Sequence, residues 1–415
     1  MLKITISLEK LLEFRFAGEI REERLGKMMD YEKILSPAVV DIKPSGIRRF
    51  FDIAAEMEEV ISLGIGEPDF MTPLPIRQAG IRSLEEGKTW YTANAGLKEL
   101  RQEISAYLSR RFQVEYDPIG EVLVTVGGSE AIDGLIRCLV SPGDEVLIPE
   151  PCFVAYAPIT QMCGGVCVPI PTKAKDCFRL TAQALREKIT PKTKLLIFPF
   201  PNNPTGAIME REHLEEIAQV LRDTNIVVLS DEIYAELTYN ANHVSLASLP
   251  GMWERTVIVN GFSKTFAMTG WRLGYAAGPR PILQQMTKLH QFAIMSAPTT
   301  AQLAAVTALR DCEGEIVKMR EKYNRRRQYL VAELNRLGLS CFEPKGAFYV
   351  FPSIQSTGMT SDQFCETLLQ RKHVAVIPGN AFGDSGEGFV RISYSYSMEH
   401  LQEAVRRIEE FLNEL

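Results

Sequence analysis

The sequence predicts an α/β fold: a large, doubly wound, mainly parallel sheet domain followed by a smaller α+β domain. Three observations carry that prediction. Between residues 122 and 278 short β-branched runs alternate with turns and helical patterns, the rhythm of strand–helix–strand units. Several of the runs are apolar on both faces, as in a parallel sheet covered by helices on each side. After about residue 300 the texture changes to long charged helical stretches, and a chain of 415 residues is about three times the usual domain length.

The predicted strands are VLVTV (122–126), EVLIP (145–149), GVCVPI (165–170), LLIFP (195–199), IVVLS (226–230), TVIVN (256–260) and RLGYAA (272–277). Between them Leu214, Ile217, Ala218 and Leu221 recur at i, i+3, i+4, i+7, one face of a helix. Beyond residue 300, EGEIVKMREKYNRRRQYLVAELNRLG reads as a helix closed by Gly338 as C-cap. A strand pair, LSCFEP and GAFYVFP, is expected next, turned at Lys345-Gly346. Leu401, Ala404, Val405, Ile408, Phe411 and Leu412 form the apolar stripe of a closing helix. Residues 1–27 carry both signs of charge and lack the apolar centre of a secretion signal; their many Glu residues argue against a transit peptide. An added arm and an over-extended gene start ahead of Met28 and Met29 both stay open.

Composition narrows the function. Apolar residues are 46% and charged residues 24%, with a net charge of −6 and no long basic run, which argues against a nucleic-acid grip. Apolar segments run about 5–8 residues, whereas a spanning helix needs about 20. The eight cysteines form no C-x-x-C pair, and five histidines sit at no metal-ligand spacing, so no metal site is expected. Buried free thiols in a reducing compartment, the cytoplasm, are the expectation.

Five constellations carry chemistry. GGSEAI (127–132) follows a strand and opens a helix, where free N–H groups and the dipole suit a phosphate, with Ser129 able to cap. SDEIY (230–234) puts Asp231 at the carboxyl end of a parallel strand, where such sheets bind ligands. GFSKTFAMTGWRLGY (261–275) sets Lys264 in small, apolar surroundings that penalise a charged amine. Ser263 and Arg272 flank it and can both meet phosphate oxygens. PNNPTG (201–206) is a dense turn, and VRISYS (390–395) offers Arg391 on an alternating strand. Singly, each also reads as a plain turn, a solvated acid, a surface lysine or a surface ion pair. Their order and their place at strand ends make them interdependent.

That order resembles the class I/II pyridoxal-phosphate-dependent aminotransferases of fold type I over nearly all of residues 30–415. The matching segments are LGIGEPDF (63–70), YTANAG (91–96), VTVGGSEAI, PNNPTG, SDEIY, GFSKTFAMTGWRLGY, PKGAFYVFP (344–352) and VRISYS. FPSIQSTGMTS and GEGFVRIS are similar to bacterial members acting on aromatic amino acids or N-acetyl-diaminopimelate. The resemblance implies pyridoxal 5′-phosphate as cofactor and Lys264 as the residue that bonds its aldehyde, then moves the proton between substrate Cα and cofactor C4′. It implies Asp231 against the pyridine nitrogen, and Tyr234 with Asn203 on the phenolic oxygen. Gly128, Ser129, Glu130, Ser263 and Arg272 would hold the phosphate, and Phe153 would stack on the ring. Arg391 would grip the substrate α-carboxylate in a bidentate fork, and Gly66 would line the substrate pocket. Tyr91 would reach the phosphate of the neighbouring subunit, requiring a homodimer. The implied division is residues 1–30 as an arm, 31–75 as a segment joining the small domain and dimer contact, 76–300 as the cofactor domain and 301–415 as the small domain.

The departures concern substrate. Ser129 stands where some aspartate-specific members carry Lys, and HQFAIMSAP (290–298) lacks the partner-subunit arginine that others use, with Phe292 offering an apolar wall instead. Gly261 replaces a phosphate-contacting serine. A neutral, aromatic or N-acyl-diamino donor is therefore expected over aspartate, with 2-oxoglutarate as the acceptor. Small molecules, not nucleic acid or membrane, are the expected partners. A C–S β-lyase would use the same electron sink. An effector-sensing domain of a transcription regulator would need a DNA-binding module that residues 1–30 are too short to supply, and no G-x-G-x-x-G supports a nicotinamide enzyme.

Overall fold

The computed structural model describes residues 31–43, 46, 57 and 59–415, so the readings of residues 1–27 lie outside the described residues. Met1–Lys43 and Pro44–Leu415 are separate units; in the first, Pro37 opens a single helical turn, Pro37–Val40. The first described strand of the second is β1 (Ile61–Ser62). Among the described residues no helix is long and apolar enough to cross a membrane.

The large sheet has seven strands: β2 (Val122–Thr125), β3 (Glu145–Glu150), β4 (Val166–Pro171), β5 (Thr193–Phe198), β6 (Val227–Asp231), β7 (Thr256–Gly261) and β8 (Gly274–Ala277), in the order β2-β8-β7-β6-β5-β3-β4. Strands β2, β6, β7 and β8 are buried almost throughout, and β2, β6 and β7 are accordingly rich in Val, Ile and Leu. β4 is the exposed edge, and it carries Pro169 and Pro171, which cannot donate to a further strand. Helices cover the sheet through single stripes: Leu214, Ile217, Ala218 and Leu221 are all buried on Arg211–Leu221.

β8 runs antiparallel to both neighbours, β2 and β7, while β7, β6, β5, β3 and β4 pair in parallel. A parallel return needs a crossover to the far end of the sheet. Residues 262–273 make none; they fold as two single turns, Phe262–Thr265 and Thr269–Trp271, at the carboxyl end of β7. Arg272 stands outside the strand expected at 272–277, in the left-handed region at φ 52°.

The C-terminal layer has β9 (Tyr349–Val350), β10 (Val374–Ala375), β11 (Ile377–Pro378) and β12 (Val390–Ser393), with β11-β12-β9 antiparallel and β10 paired in parallel to β1. The 24-residue helix Glu313–Arg336 ends as expected near Gly338, at φ +80°. Ser361–Lys372 opens with a capping box between Thr360 and Gln363. Met398–Asn413 buries Leu401, Ala404, Val405, Ile408 and Phe411. One apolar cluster joins Leu196, Phe198 and Val228 of the large sheet to Phe348, Phe351, Phe364 and Phe411.

The expected strand pair at 339–352 is corrected. Residues 339–344 form no strand, because the Asn335 side chain meets both the N–H and the carbonyl of Cys341 at 3.0 Å. Lys345-Gly346 is not a hairpin turn: the Tyr239 N–H donates to the Lys345 carbonyl and the Gly346 N–H to the Gly206 carbonyl. Ser129 is not a helix cap either. It lies inside the first turn of Gly127–Leu139, and the Glu130 carboxylate accepts from the Val126 N–H instead. The cysteines are free, but only Cys152, Cys312, Cys341 and Cys365 are buried, and Cys177 is exposed.

Candidate active site

The carboxyl ends of β5, β6 and β7, the start of β8 and the helix Gly127–Leu139 converge on a cleft of about 1130 Å³, where open α/β sheets place their ligands. Asp231 closes β6 and is 7% exposed. Tyr156 donates its hydroxyl to Oδ2 at 2.7 Å and the Ile233 N–H donates to Oδ1 at 3.2 Å. Burial pushes this carboxyl up to about 6, partly offset by those two bonds. The acid therefore faces the cleft poised to ionise against a cation.

Lys264 lies three residues past β7, and its Nζ donates to the Gly66 carbonyl. Burial brings the amine down to about 8; Glu67 opposes the shift, and Arg391 and Arg272 add to it. A lysine with that affinity for protons has a sizeable neutral fraction near neutral pH, the form that attacks an aldehyde or accepts a proton.

Opposite, the helix Gly127–Leu139 presents its first N–H groups to the cleft. Gly127 adopts φ +74°, and a Cβ there would lie 2.7 Å from Arg272 Nη2. Gly274 packs so closely that a Cβ would fall 2.5 Å from the Gly127 carbonyl carbon. Two glycines thus let strand and helix backbones meet beside a guanidinium, an anion cradle with Gly128, Ser129, Ser263 and Arg272 on its wall. A side chain at Gly261 would press on Gly274 at 3.0 Å.

Arg391 comes from β12 and is 4% exposed, not a surface ion pair. Its Nη1 donates to Asn203 Oδ1 at 2.9 Å and its Nη2 to the Gly64 carbonyl at 2.5 Å, while Nε is buried without a hydrogen-bond partner. Among the described residues no carboxylate pairs with it. A buried cation lacking a counter-ion costs free energy that an incoming carboxylate recovers.

Gly66, Gly128, Ser129, Phe153, Asn203, Asp231, Tyr234, Ser263, Lys264, Arg272 and Arg391, all expected site residues, line this one cleft. Glu130 does not: its carboxylate bonds the Val126 N–H and, at 2.5 Å, His290 Nδ1, so it braces the cradle from behind. Tyr91 (77% exposed) and Phe292 (82% exposed) also stand outside the cleft of their own chain. Tyr156 and Tyr349 are among the lining residues that went unread in the sequence. Tyr156 follows Phe153 by three positions, a helical step, yet nothing local ties it to Asp231, 75 residues on.

A family model, aminotransferase class I and II, matches residues 58–408. The chain belongs to the class I and II aminotransferases. An aspartate aminotransferase of Pyrococcus abyssi is 47% identical to this aminotransferase over 376 residues, 90% of this chain and 97% of the relative. Aromatic-amino-acid aminotransferase 2 of Thermococcus litoralis is 43% identical over 383 residues, 92% and 98%. A crystal structure of an aromatic aminotransferase from Pyrococcus horikoshii has a TM-score of 0.84 at 45% identity, covering 88% of this chain and 99% of that one. This aminotransferase is a pyridoxal-phosphate enzyme, as its family is. Its residues fit that group: a glycine-floored anion cradle, a buried carboxylate and a lysine amine open into one cleft.

Proposed function

We propose that this aminotransferase transfers the amino group of a neutral, aromatic or N-acyl-diamino L-amino acid to a 2-oxo acid, 2-oxoglutarate, as a cytoplasmic homodimer. The buried, counter-ion-free Arg391 carries the reading, because it suits an α-carboxylate held in a bidentate fork. Pyridoxal phosphate, when bound, supplies the electron sink for charge left at substrate Cα. Lys264 would hold the aldehyde end of that group, and its Nζ would carry the proton taken from substrate Cα. Asp231 would pair with the ring nitrogen and keep it protonated. Tyr234 and Asn203 would meet the phenolic oxygen, Phe153 would stack on the ring, and Gly128, Ser129, Ser263 and Arg272 would hold the phosphate. Gly66 lines the substrate side. Glu130 serves the phosphate through the helix start rather than by contact.

The substrate preference rests on a shortage of cations. Lys264, Arg272 and Arg391 line the cleft, and each has a task, while Glu59 and Glu67 also line it. No cation of this chain's described cleft is left for the side-chain carboxylate of aspartate. The same shortage bears on the distal carboxylate of 2-oxoglutarate, so pyruvate is the informative alternative acceptor. A donor panel of aspartate, tyrosine, phenylalanine, alanine and N-acetyl-diaminopimelate, run against 2-oxoglutarate and pyruvate, tests this. Tyrosine, phenylalanine or the N-acyl donor should exceed aspartate in kcat/KM by about tenfold, the effect of roughly 1.4 kcal/mol of differential binding. A preference for aspartate overturns it.

Exposed Trp90, Tyr91, Phe292, Ile294 and Met295 support the dimer, since large apolar side chains in one region suit an interface. Sedimentation should return twice the 46.6 kDa chain mass; an active monomer would remove Tyr91 from the site. The proposed division is 1–30, 31–75, 76–300 and 301–415; the pairing of β1 with β10 supports it at Ile61 and Ser62, which join the small domain, 301–415.

Asp231 gives a pH dependence. Its acidity lies near pH 6 before the cofactor arrives, and the nitrogen needs the ionised form. Cofactor affinity should therefore drop as pH falls through about 6, by up to about tenfold per unit. Equilibrium titration of cofactor-free protein checks this. Asp231→Asn should bind more weakly but with a shallower pH profile below about 6, because the contribution of Asp231 is lost while those of Lys264 and the phosphate stay in both proteins; equal slopes in the two proteins would refute the assignment.

A further inference from the structure

We propose that Tyr349 is a positioning residue that serves two parts of the site at once: its ring fixes the plane of Arg391, and its hydroxyl orients that of Tyr234. The inference rests on the roles given above to Arg391 and Tyr234. Tyr349 is fully buried yet lines the cleft. It lies on β9, where Ser393 of β12 is its partner in register, so Arg391 is its diagonal neighbour on the same face. The guanidinium carbon of Arg391 sits 4.5 Å from the centre of the Tyr349 ring and 4.8 Å from that of Phe382. Two aromatic rings thus hold a cation that has no carboxylate partner, leaving its edge open for an incoming one.

The hydroxyl acts on different chemistry. It lies 2.9 Å from the Tyr234 hydroxyl, at the carboxyl end of the large sheet. Burial pushes both phenols up, so both keep their protons. When Tyr234 donates into the cleft, its oxygen accepts from Tyr349, and the chain of two hydroxyls points one way. Donation by Tyr349 polarises Tyr234 and strengthens the bond Tyr234 makes in the cleft. The hydroxyl also explains a glycine: a Cβ at Gly66 would fall 2.3 Å from it, and Gly66 is the residue whose carbonyl receives Lys264.

Tyr349→Phe and Tyr349→Leu in the holoenzyme separate the two tasks. The Phe variant keeps the ring, so its KM for the amino donor should stay within about twofold of wild type. The pH at which visible absorption of the bound cofactor changes should rise by about half a unit, through loss of the polarising bond. The Leu variant should show the same spectral shift and a KM roughly tenfold higher, because the ring over Arg391 is gone. An unmoved absorption titration in the Phe variant, or a KM raised equally in both variants, overturns the proposal. If the Leu variant does not fold, the Phe titration still decides. Tyr234→Phe is the reference: a shift there and none in Tyr349→Phe sinks Tyr349 alone, whereas no shift in either removes the role of Tyr234 as well.

Discussion

Lys264→Ala is expected to lose turnover by at least about 10²- to 10⁴-fold, the range for removing a positioned acid–base group, and to lose the visible absorption band of covalently held cofactor. The geometry makes the lysine singular. Its amine is drawn down to about 8 by burial and by two arginines, and it reaches the Gly66 carbonyl across the cleft from the anion cradle. Among the described residues lining the cleft there is no other lysine. The fold should survive the change, since the lost ammonium was paying a desolvation cost, and circular dichroism with thermal melting would verify that. A variant that kept the band, or more than about one per cent of the rate, would place the covalent chemistry elsewhere.

Arg391→Ala should cost about 2–5 kcal/mol of amino-acid binding, as for one partner removed from a desolvated, hydrogen-bonded charge pair. In kcat/KM that is a factor between about 30 and several thousand, carried mostly by KM. Arg391→Lys should restore little, because a single ammonium cannot hold Asn203, the Gly64 carbonyl and a carboxylate together. Steady-state kinetics with one donor at fixed acceptor would measure it; an unchanged KM would mean that another group grips the carboxylate.

Much of this was legible because central parallel strands must be apolar on both faces, and ligand chemistry clusters where those strands end. Asp231, Lys264 and Asn203 each lie within four residues of the end of such a run. What was not legible depended on partners far along the chain. The direction of β8 is set by how residues 262–273 fold back, which no local periodicity encodes. Glu130 reads as part of the phosphate turn, but nothing local shows that its carboxylate is held by His290, 160 residues away. Residues 339–344 have strand-like composition, yet the side chain of Asn335 satisfies Cys341 before a neighbouring strand can. Tyr349 sits in an apolar run, and its hydroxyl acquires meaning through Tyr234, 115 positions earlier.

The return of the chain between β7 and β8 makes the segment from Lys264 to Arg272 a caliper. Both jaws are carried on one short stretch of chain, which ends beside the close approach of Gly274 to Gly127, so their spacing is set locally. Vitamin analogues with a lengthened or shortened arm between ring and anion should fill one jaw at a time, and redesign for such analogues would start from the length of this segment rather than from the pocket walls.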